Sequence, residues 1–597
     1  MLQHYIGVDV GTESVRACVV DVHGTILSLA SKPISRQEIQ PNYLTQSSNE
    51  IWRAICFCIR KIICDSQVVK DSIIGIGFDA TCSLVVLEEV TNKGVAVGPN
   101  FDDFEQDIIL WMDHRAIDEV NEINSTGHRC LKYVGGKMSI EMQIPKIKWL
   151  KNNLPQGKFD KCEFYDLPDF LTYRATGNKC RSFCSTVCKM GLLPLGVDGS
   201  TKGWPQDLFE DIGLAELCRR EFSKLGGVVS STASNFLSAG DYVGHLSDEA
   251  AADLGLTTKC IVASGLIDAY AGWVGTIAAG ITLGSDGQES ELASSRLATV
   301  AGTSTCHITI SKCPHFMDGV WGPYRDALMP GYWVTEGGQS CTGALLAHVL
   351  KSHPAYDTLC KLAKNQGISK FDFINNRLEE LKEERGAQSV AALGKHLFFY
   401  GDYHGNRSPI ADPNMRATII GQSMDVSVDD LAIMTLGACE FIAQQTRQIV
   451  EHIKQSGHEI TSIYMSGGQC RNLVLIKLLA NCTKLPIVLP KYIDAAVVFG
   501  SALLGVAASE KYLHGCSDTA SVSTIVDQQR ITSELKPKQS ILWTVMANLT
   551  GIGQIIEPSN MLDSEIRLLD QKYEIFLDMI ETQKRYRDLV TRAENSV

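Results

Sequence analysis

GVDVGTESVRACVVD, from Gly7 to Asp21, places Ile6, Val8 and Val10 on one face of a strand and Ala17 and Val19 on a face of the next, with Gly11-Thr12 between. That pattern predicts a β-hairpin. ATVAGTSTCHITIS, from Ala298 to Ser311, repeats it around Gly302-Thr303-Ser304. A glycine at a hairpin tip permits positive φ and close approach of an anion to backbone amides, and Thr and Ser hydroxyls add donors. Ordinary turn chemistry explains either tip taken alone. Asp9 tips the balance, because a carboxylate inside an apolar strand is costly unless paired or holding a cation such as Mg²⁺.

At 597 residues the chain exceeds one compact core, so two large domains and a tail are expected. A hydrophobic content of 45% and charged content of 21% fit a globular protein, and the net charge of -13 argues against a nucleic-acid groove. The chain enters a strand within its first residues, which leaves no secretory pattern and predicts a cytoplasmic protein with reduced thiols among its 20 cysteines. Cys180, Cys184 and Cys188 share a helical face, but no histidine joins them as a metal ligand. From Cys260 to Leu283 the sole charged residue is Asp268, and the length would span a bilayer. Glycines at 265, 272, 275 and 280 favour instead a buried strand ending near Ile267 and a closely packed helix from about Ala269. Asp268 then lies at a strand-to-helix junction, where open α/β sheets carry their chemistry. No membrane partner is expected.

Strands at Ile73 to Phe78 and Leu84 to Leu87 alternate with helices at Glu50 to Cys64 and Ile144 to Leu150, which is α/β. Residues 283 to 297 read as a solvated loop and domain boundary. Beyond it come a helix from about Val428 to Lys454, strands at Ile460 to Met465 and Pro486 to Leu489, and an almost charge-free helix through Ala508. An amphipathic helix from Ser564 to Ala593, with Ile566, Leu569, Tyr573, Phe576 and Ile580 in register, is read as docked on one domain, with a homodimer contact as the other use.

The two tips, the Gly467-Gly468 turn and Asp268 occur in the order of the actin-like ATPase fold. The chain resembles the FGGY carbohydrate kinases from Gly7 to about Ala508 through GFDATCS (Gly77 to Ser83), LWMDHRA (Leu110 to Ala116), GLIDAYAG (Gly265 to Gly272), EGGQSCTG (Glu336 to Gly343), GNRSPIADPNMR (Gly405 to Arg416) and SGGQCRN (Ser466 to Asn472). Its Asp-Ala-Thr-Cys-Ser and Glu-Gly-Gly-Gln-Ser forms look like the ribulokinase branch.

The resemblance implies two actin-like (ribonuclease H-like) α/β domains around a nucleotide cleft. These would be a sugar- and phosphate-binding domain at 1–285, a nucleotide-binding domain at 296–535, and a helical tail at 536–597. It implies ATP-dependent phosphorylation of a pentulose, D-ribulose to D-ribulose 5-phosphate, by direct transfer. L-ribulose, xylulose or another polyol is the alternative substrate, and a catalytically silent sensor the alternative function. Asp268 would be the general base, and Asp9 and Asp268 would hold Mg²⁺. Thr12 and Ser14 from one domain and Gly302, Thr303 and Ser304 from the other would meet the phosphates. Gly467 and Gly468 would pass beneath the adenosine. Asn472 either reaches base or ribose or caps a helix. Sugar candidates are Asp79, Ala80, Thr81, Asp113, Arg115, Lys189, Asp268, Glu336 and Gln339, with Lys189 and Glu336 the most proximal. Asp113 and Arg115 serve equally well as a structural salt bridge. Trp111 either stacks on sugar or fills core, and Asp402, His404 and Arg407 are charged loop residues without an assigned role.

Overall fold

The computed structural model describes residues 2–193, 200, 202–229, 235–281, 290–515, 540–559 and 563–594. Two sheets in it follow one plan. In the first, β1 (His4–Val10), β2 (Ser14–Asp21) and β3 (Ile26–Pro33) form an antiparallel meander. β4 (Ile73–Ala80) runs parallel to β1, and β5 (Tyr242–His245) and β6 (Ile261–Ala263) complete the order β5-β6-β4-β1-β2-β3. In the second, β7 (Arg296–Ala301), β8 (Thr305–Ser311), β9 (Trp321–Arg325), β10 (Trp333–Gln339), β11 (Ser462–Ser466), β12 (Ile487–Leu489) and β13 (Gln554–Ile556) run β9-β10-β8-β7-β11-β12-β13. Hairpin β7–β8 thus takes the place of β1–β2, β10 that of β3, and the parallel neighbour β11 that of β4.

Both faces of the first sheet are covered, for different reasons. Ile6, Val8, Val10, Val15, Ala17 and Val19 bury against α1 (Ser48–Ser66) through Ile51, Ile55, Ile59 and Ile62. The opposite face presents glycines. A Cβ on Gly7 would lie 1.9 Å from the Val498 carbonyl oxygen, and one on Gly77 would lie 2.0 Å from that of Ser501. Both contacts belong to α6 (Ala496–Leu513), which therefore rests directly on the backbone of the sheet. By length and hydropathy α6 would cross a bilayer, yet most of it is buried in this core.

The short strand Leu266–Ile267 pairs with β4 at Asp79 and Ala80 and hands the chain to α2 (Asp268–Val274), as the junction reading expects. Gly272 passes so close to Val300 of β7 that a Cβ would sit 2.8 Å from its methyls, and Gly275 meets the Ala496 carbonyl. Helix α2 thereby connects the sheets. Below the second sheet pack α3 (Gly343–Ser352), α4 (Val428–Gln455) and α5 (Leu473–Thr483). The tail helix α7 (Asp563–Glu594) buries Leu569, Tyr573, Phe576, Met579 and Ile580 in the same core.

The structure departs from the expected partition in two places. The expected domain ends at 285 and 535 lie outside the described residues. Helix α6, read as part of the second domain, covers the first sheet, where Gly7, Gly75 and Gly77 admit its backbone. Within the expected helical tail, Gln554–Ile556 adds β13 to the edge of β12, which satisfies an otherwise open row of backbone groups.

Candidate active site

The β1 register places Asp9 opposite Arg16 on β2 and Asp79 on β4. Asp9 is 2% exposed, and Arg16 Nη2 lies 2.5 Å from its Oδ2. Arg16 also donates to the Asp494 carbonyl at 3.0 Å. Burial, with the Asp9 carboxylate next in weight, pushes the Asp79 carboxyl well above its usual range, while Ser501 of α6 donates to Oδ2. Asp79 Oδ1 has no hydrogen-bond partner. Asp79 is fully buried on the strand beside Asp9, with none of its surface open.

Asp268 begins α2 and keeps part of its surface open. Its Oδ1 accepts from its neighbour's amide, Ala269 N, at 2.7 Å. Desolvation first and Asp9 second push its carboxyl up to about 6, while Lys189 works against them. Asp9, Asp79 and Asp268 thus lie within electrostatic reach of one another, with the Arg16 guanidinium on Asp9. Asp9 and the partly open Asp268 suit a hard divalent cation held largely through water. Among the described residues no cluster of three or more ligating side chains has direct metal-binding geometry.

The first tip is held open by side chains from elsewhere. Gly11 N donates to Ser14 O at 3.0 Å, Gln46 Nε2 to Thr12 O at 2.9 Å, and the Trp111 indole to Thr12 Oγ1 at 3.1 Å. Trp111 therefore positions the tip. The second tip closes one residue tighter, with Gly302 N donating to Ser304 O at 2.8 Å. Gln469 Nε2 donates to Gly302 O at 2.8 Å, and Thr342 N and Ala344 N at the start of α3 both donate to Thr303 O at 3.1 Å. Gly302, Thr303 and Gly468 are exposed beside one another in this turn region. At Gly467 φ is +102°, and a Cβ would lie 2.1 Å from Ala301 O, so only glycine fits.

A second polar cluster gathers around Trp321. Glu336, 2% exposed at its side chain, receives Arg407 Nη2 at 2.5 Å and the Tyr270 hydroxyl at 3.0 Å. Lys189 Nζ lies 4.3 Å from one ring centroid of Trp321 and the Arg407 guanidinium 4.0 Å from it. Burial would raise the Glu336 carboxyl, but Lys189 and then Arg407 hold it below its ordinary value. Burial likewise opposes the Lys189 and Arg407 cations, and the surrounding acidic groups, Glu336 among them, keep both charged. Arg407 is one of three charged loop residues to which the sequence assigned no role. The signal for it lay in its motif, GNRSP, but its partner is 71 positions away.

Several candidates are spent on structure. Asp113 and Arg115 are fully buried and close on each other, with Nε to Oδ1 at 2.8 Å and Nη2 to Oδ2 at 2.7 Å. Leu44 N and Val97 O take remaining valences, and Arg115 stacks over Tyr43 and Trp149. This is the structural pair, not a pair free to meet sugar. Gln339 donates to the Ile442 carbonyl at 3.0 Å. Asn472 caps α5, its Oδ1 accepting from Leu475 N at 3.2 Å while Nδ2 faces Cys439, which is the capping use the sequence offered. Thr81 binds back to Val10 O and lies against Ser83, and Ala80 is buried in β4. Asp402 is locked by Tyr400, Asn406 and Gln445, and His404 is exposed. Every cysteine among the described residues is free.

Two α/β domains of duplicated topology, with glycine-hydroxyl hairpin tips and a carboxylate group at their junction, constitute the actin-like, ribonuclease H-like fold. Solved structures share it: a xylulose kinase from Rhodospirillum rubrum superposes with a TM-score of 0.71 at 18% identity, covering 98% of this chain and 99% of that one. A Plasmodium falciparum glycerol kinase with ADP gives 0.69 at 15% identity, covering 97% and 98%. The chain belongs to the FGGY family of carbohydrate kinases, whose N-terminal domain matches residues 4–275 and whose C-terminal domain matches 297–509. It is a carbohydrate kinase. It is 51% identical to a D-ribulokinase of Saccharomyces cerevisiae across 99% of this chain and 94% of the relative. It is 39% identical to the human FGGY carbohydrate kinase domain-containing protein, across 98% and 97%.

Proposed function

We propose that the protein transfers the γ-phosphoryl group of ATP to D-ribulose, giving D-ribulose 5-phosphate, with Asp268 as general base. The observation that carries this reading is the placement of Asp268. It is a partly open carboxylate whose pKa of about 6 suits a base near neutral pH, within electrostatic reach of both the Asp9 group and the Lys189–Glu336 cluster. The 51% identity to a D-ribulokinase supports the choice of sugar.

Phosphoryl transfer needs alignment and neutralised charge more than covalent chemistry. Glu336, Arg407 and Lys189 offer a fixed acceptor and two fixed donors, a pattern suited to a polyol whose hydroxyls must all be paired. Asp268 orients one hydroxyl and takes its proton as the oxygen attacks. The glycine-hydroxyl tips, through Thr12, Ser14, Gly302, Thr303 and Ser304, receive the phosphates, and Gly468 leaves room for the nucleoside. Mg²⁺, when bound near Asp9 and Asp268, neutralises phosphate charge. A coupled ADP assay over a pentulose panel tests substrate and activity together, with D-ribulose expected to give the highest kcat/KM. Asp268→Asn should lower kcat by ~10²–10⁴ with sugar KM little changed; a near-normal rate would remove Asp268 from its role.

A further inference from the structure

Arg407 reaches Glu336 from a loop, not from a strand or helix. The loop runs from the short strand Phe398–Tyr400 to its partner Thr418–Ile420 and carries its own internal ladder. Asn406 N donates to Asp412 O at 2.9 Å, Asp412 N returns to Asn406 O at 3.0 Å, and Asn406 Oδ1 accepts from Ile410 N at 3.0 Å. Ala411, between them, has φ of +51°, a conformation that a residue with a Cβ keeps only when its surroundings impose it.

The tail helix grips the residues that follow Ala411. Arg587 forks onto the Asp412 carboxylate, Nη2 on Oδ2 and Nη1 on Oδ1, and its Nη2 also lies 3.7 Å from Met415 Sδ. One turn earlier on the same face, Gln583 accepts from Arg416 N and donates to Arg416 O, both at 2.7 Å. Helix α7 is itself fixed to α4 by the buried Lys572–Glu440 pair at 2.6 Å and by Arg447–Asp570 at 2.7 Å. An unbroken series of contacts therefore runs from α7 through Asp412 and Asn406 to Arg407 and Glu336. Residues 563–594 lie beyond the matched family domains, which end at 509.

We propose that Arg587 is a positioning residue for the sugar pocket: by clamping Asp412 it keeps Arg407 on Glu336. This rests on the reading that Glu336 and Arg407 meet the sugar. An ion pair that merely stabilised the tail would leave sugar kinetics untouched, so the test is a split of kinetic constants. Arg587→Gln should raise the KM for D-ribulose 3–10-fold, with the KM for ATP and kcat each within twofold, and Arg587→Lys should recover part of the loss. Asp570→Asn loosens the same helix away from the loop and should leave the sugar KM unchanged. An unchanged sugar KM in Arg587→Gln, an equal rise in both KM values, or the same rise in Asp570→Asn would overturn the proposal. Arg407→Ala, measured alongside, separates the two readings. If it leaves the sugar KM unaltered, the pocket assignment fails; if it raises the sugar KM while Arg587→Gln does not, the clamp alone fails.

Discussion

Glu336→Gln removes one charge from the polar cluster around Trp321 and nothing else of comparable size. Glu336 and Arg407 are 2% and 10% exposed at their side chains, so solvent cannot replace what is lost. The charge-assisted bond at 2.5 Å contributes ~1.5–3 kcal/mol. Its loss also leaves two cations over one indole, 4.3 and 4.0 Å from the Trp321 ring, with their shared counter-ion gone. Breaking one side of a buried pair in this way costs about 3–5 kcal/mol. Urea unfolding should show a lower midpoint with an unchanged slope. Adding Arg407→Met to Glu336→Gln should give a protein more stable than the sum of the single effects, with a coupling of about 2 kcal/mol or more. A loss below about 1 kcal/mol, or strict additivity, would refute the claim that Glu336 holds this cluster together.

The raised Asp268 carboxyl fixes the sign of the pH response. Ionisation as pH rises through about 6 creates the base, so kcat/KM for sugar at saturating nucleotide should rise to a plateau above that value and fall about tenfold per unit below it; a profile flat to pH 5 would exclude Asp268 as the group responsible. Gly467→Ala places a methyl 2.1 Å from the Ala301 carbonyl at a φ of +102°. The turn must shift, at a cost of about 1–3 kcal/mol, and the KM for ATP should rise at least fivefold with the sugar KM little changed, as read in the same coupled assay.

Local pattern carried much of the fold. The two hairpins and the Asp268 junction were legible because alternation and turn residues act within about fifteen positions. The polar site was less so, because hydrogen bonds between distant residues decide which side chains remain free. Asp113 and Arg115 are two residues apart and could equally have faced a ligand, until Leu44 and Val97 close around them. Asn472 is consumed by the first turn of its own helix, and Gln339 by a carbonyl of α4. Arg407 and Glu336 carried no local sign of belonging together. The destination of α6 was hidden for the same reason: its apolar sequence announced burial but not which sheet would receive it.

That destination has a consequence for synthesis. The floor of the first sheet, at Gly7, Gly75 and Gly77, is completed by Val498, Ser501 and Gly505. As the chain leaves the ribosome, strands made first must wait with one face bare until Leu513 has emerged. The N-terminal half cannot mature ahead of the C-terminal half, as successive domains commonly do. Its nascent form offers a chaperone an apolar, glycine-floored groove whose rightful occupant is still being translated.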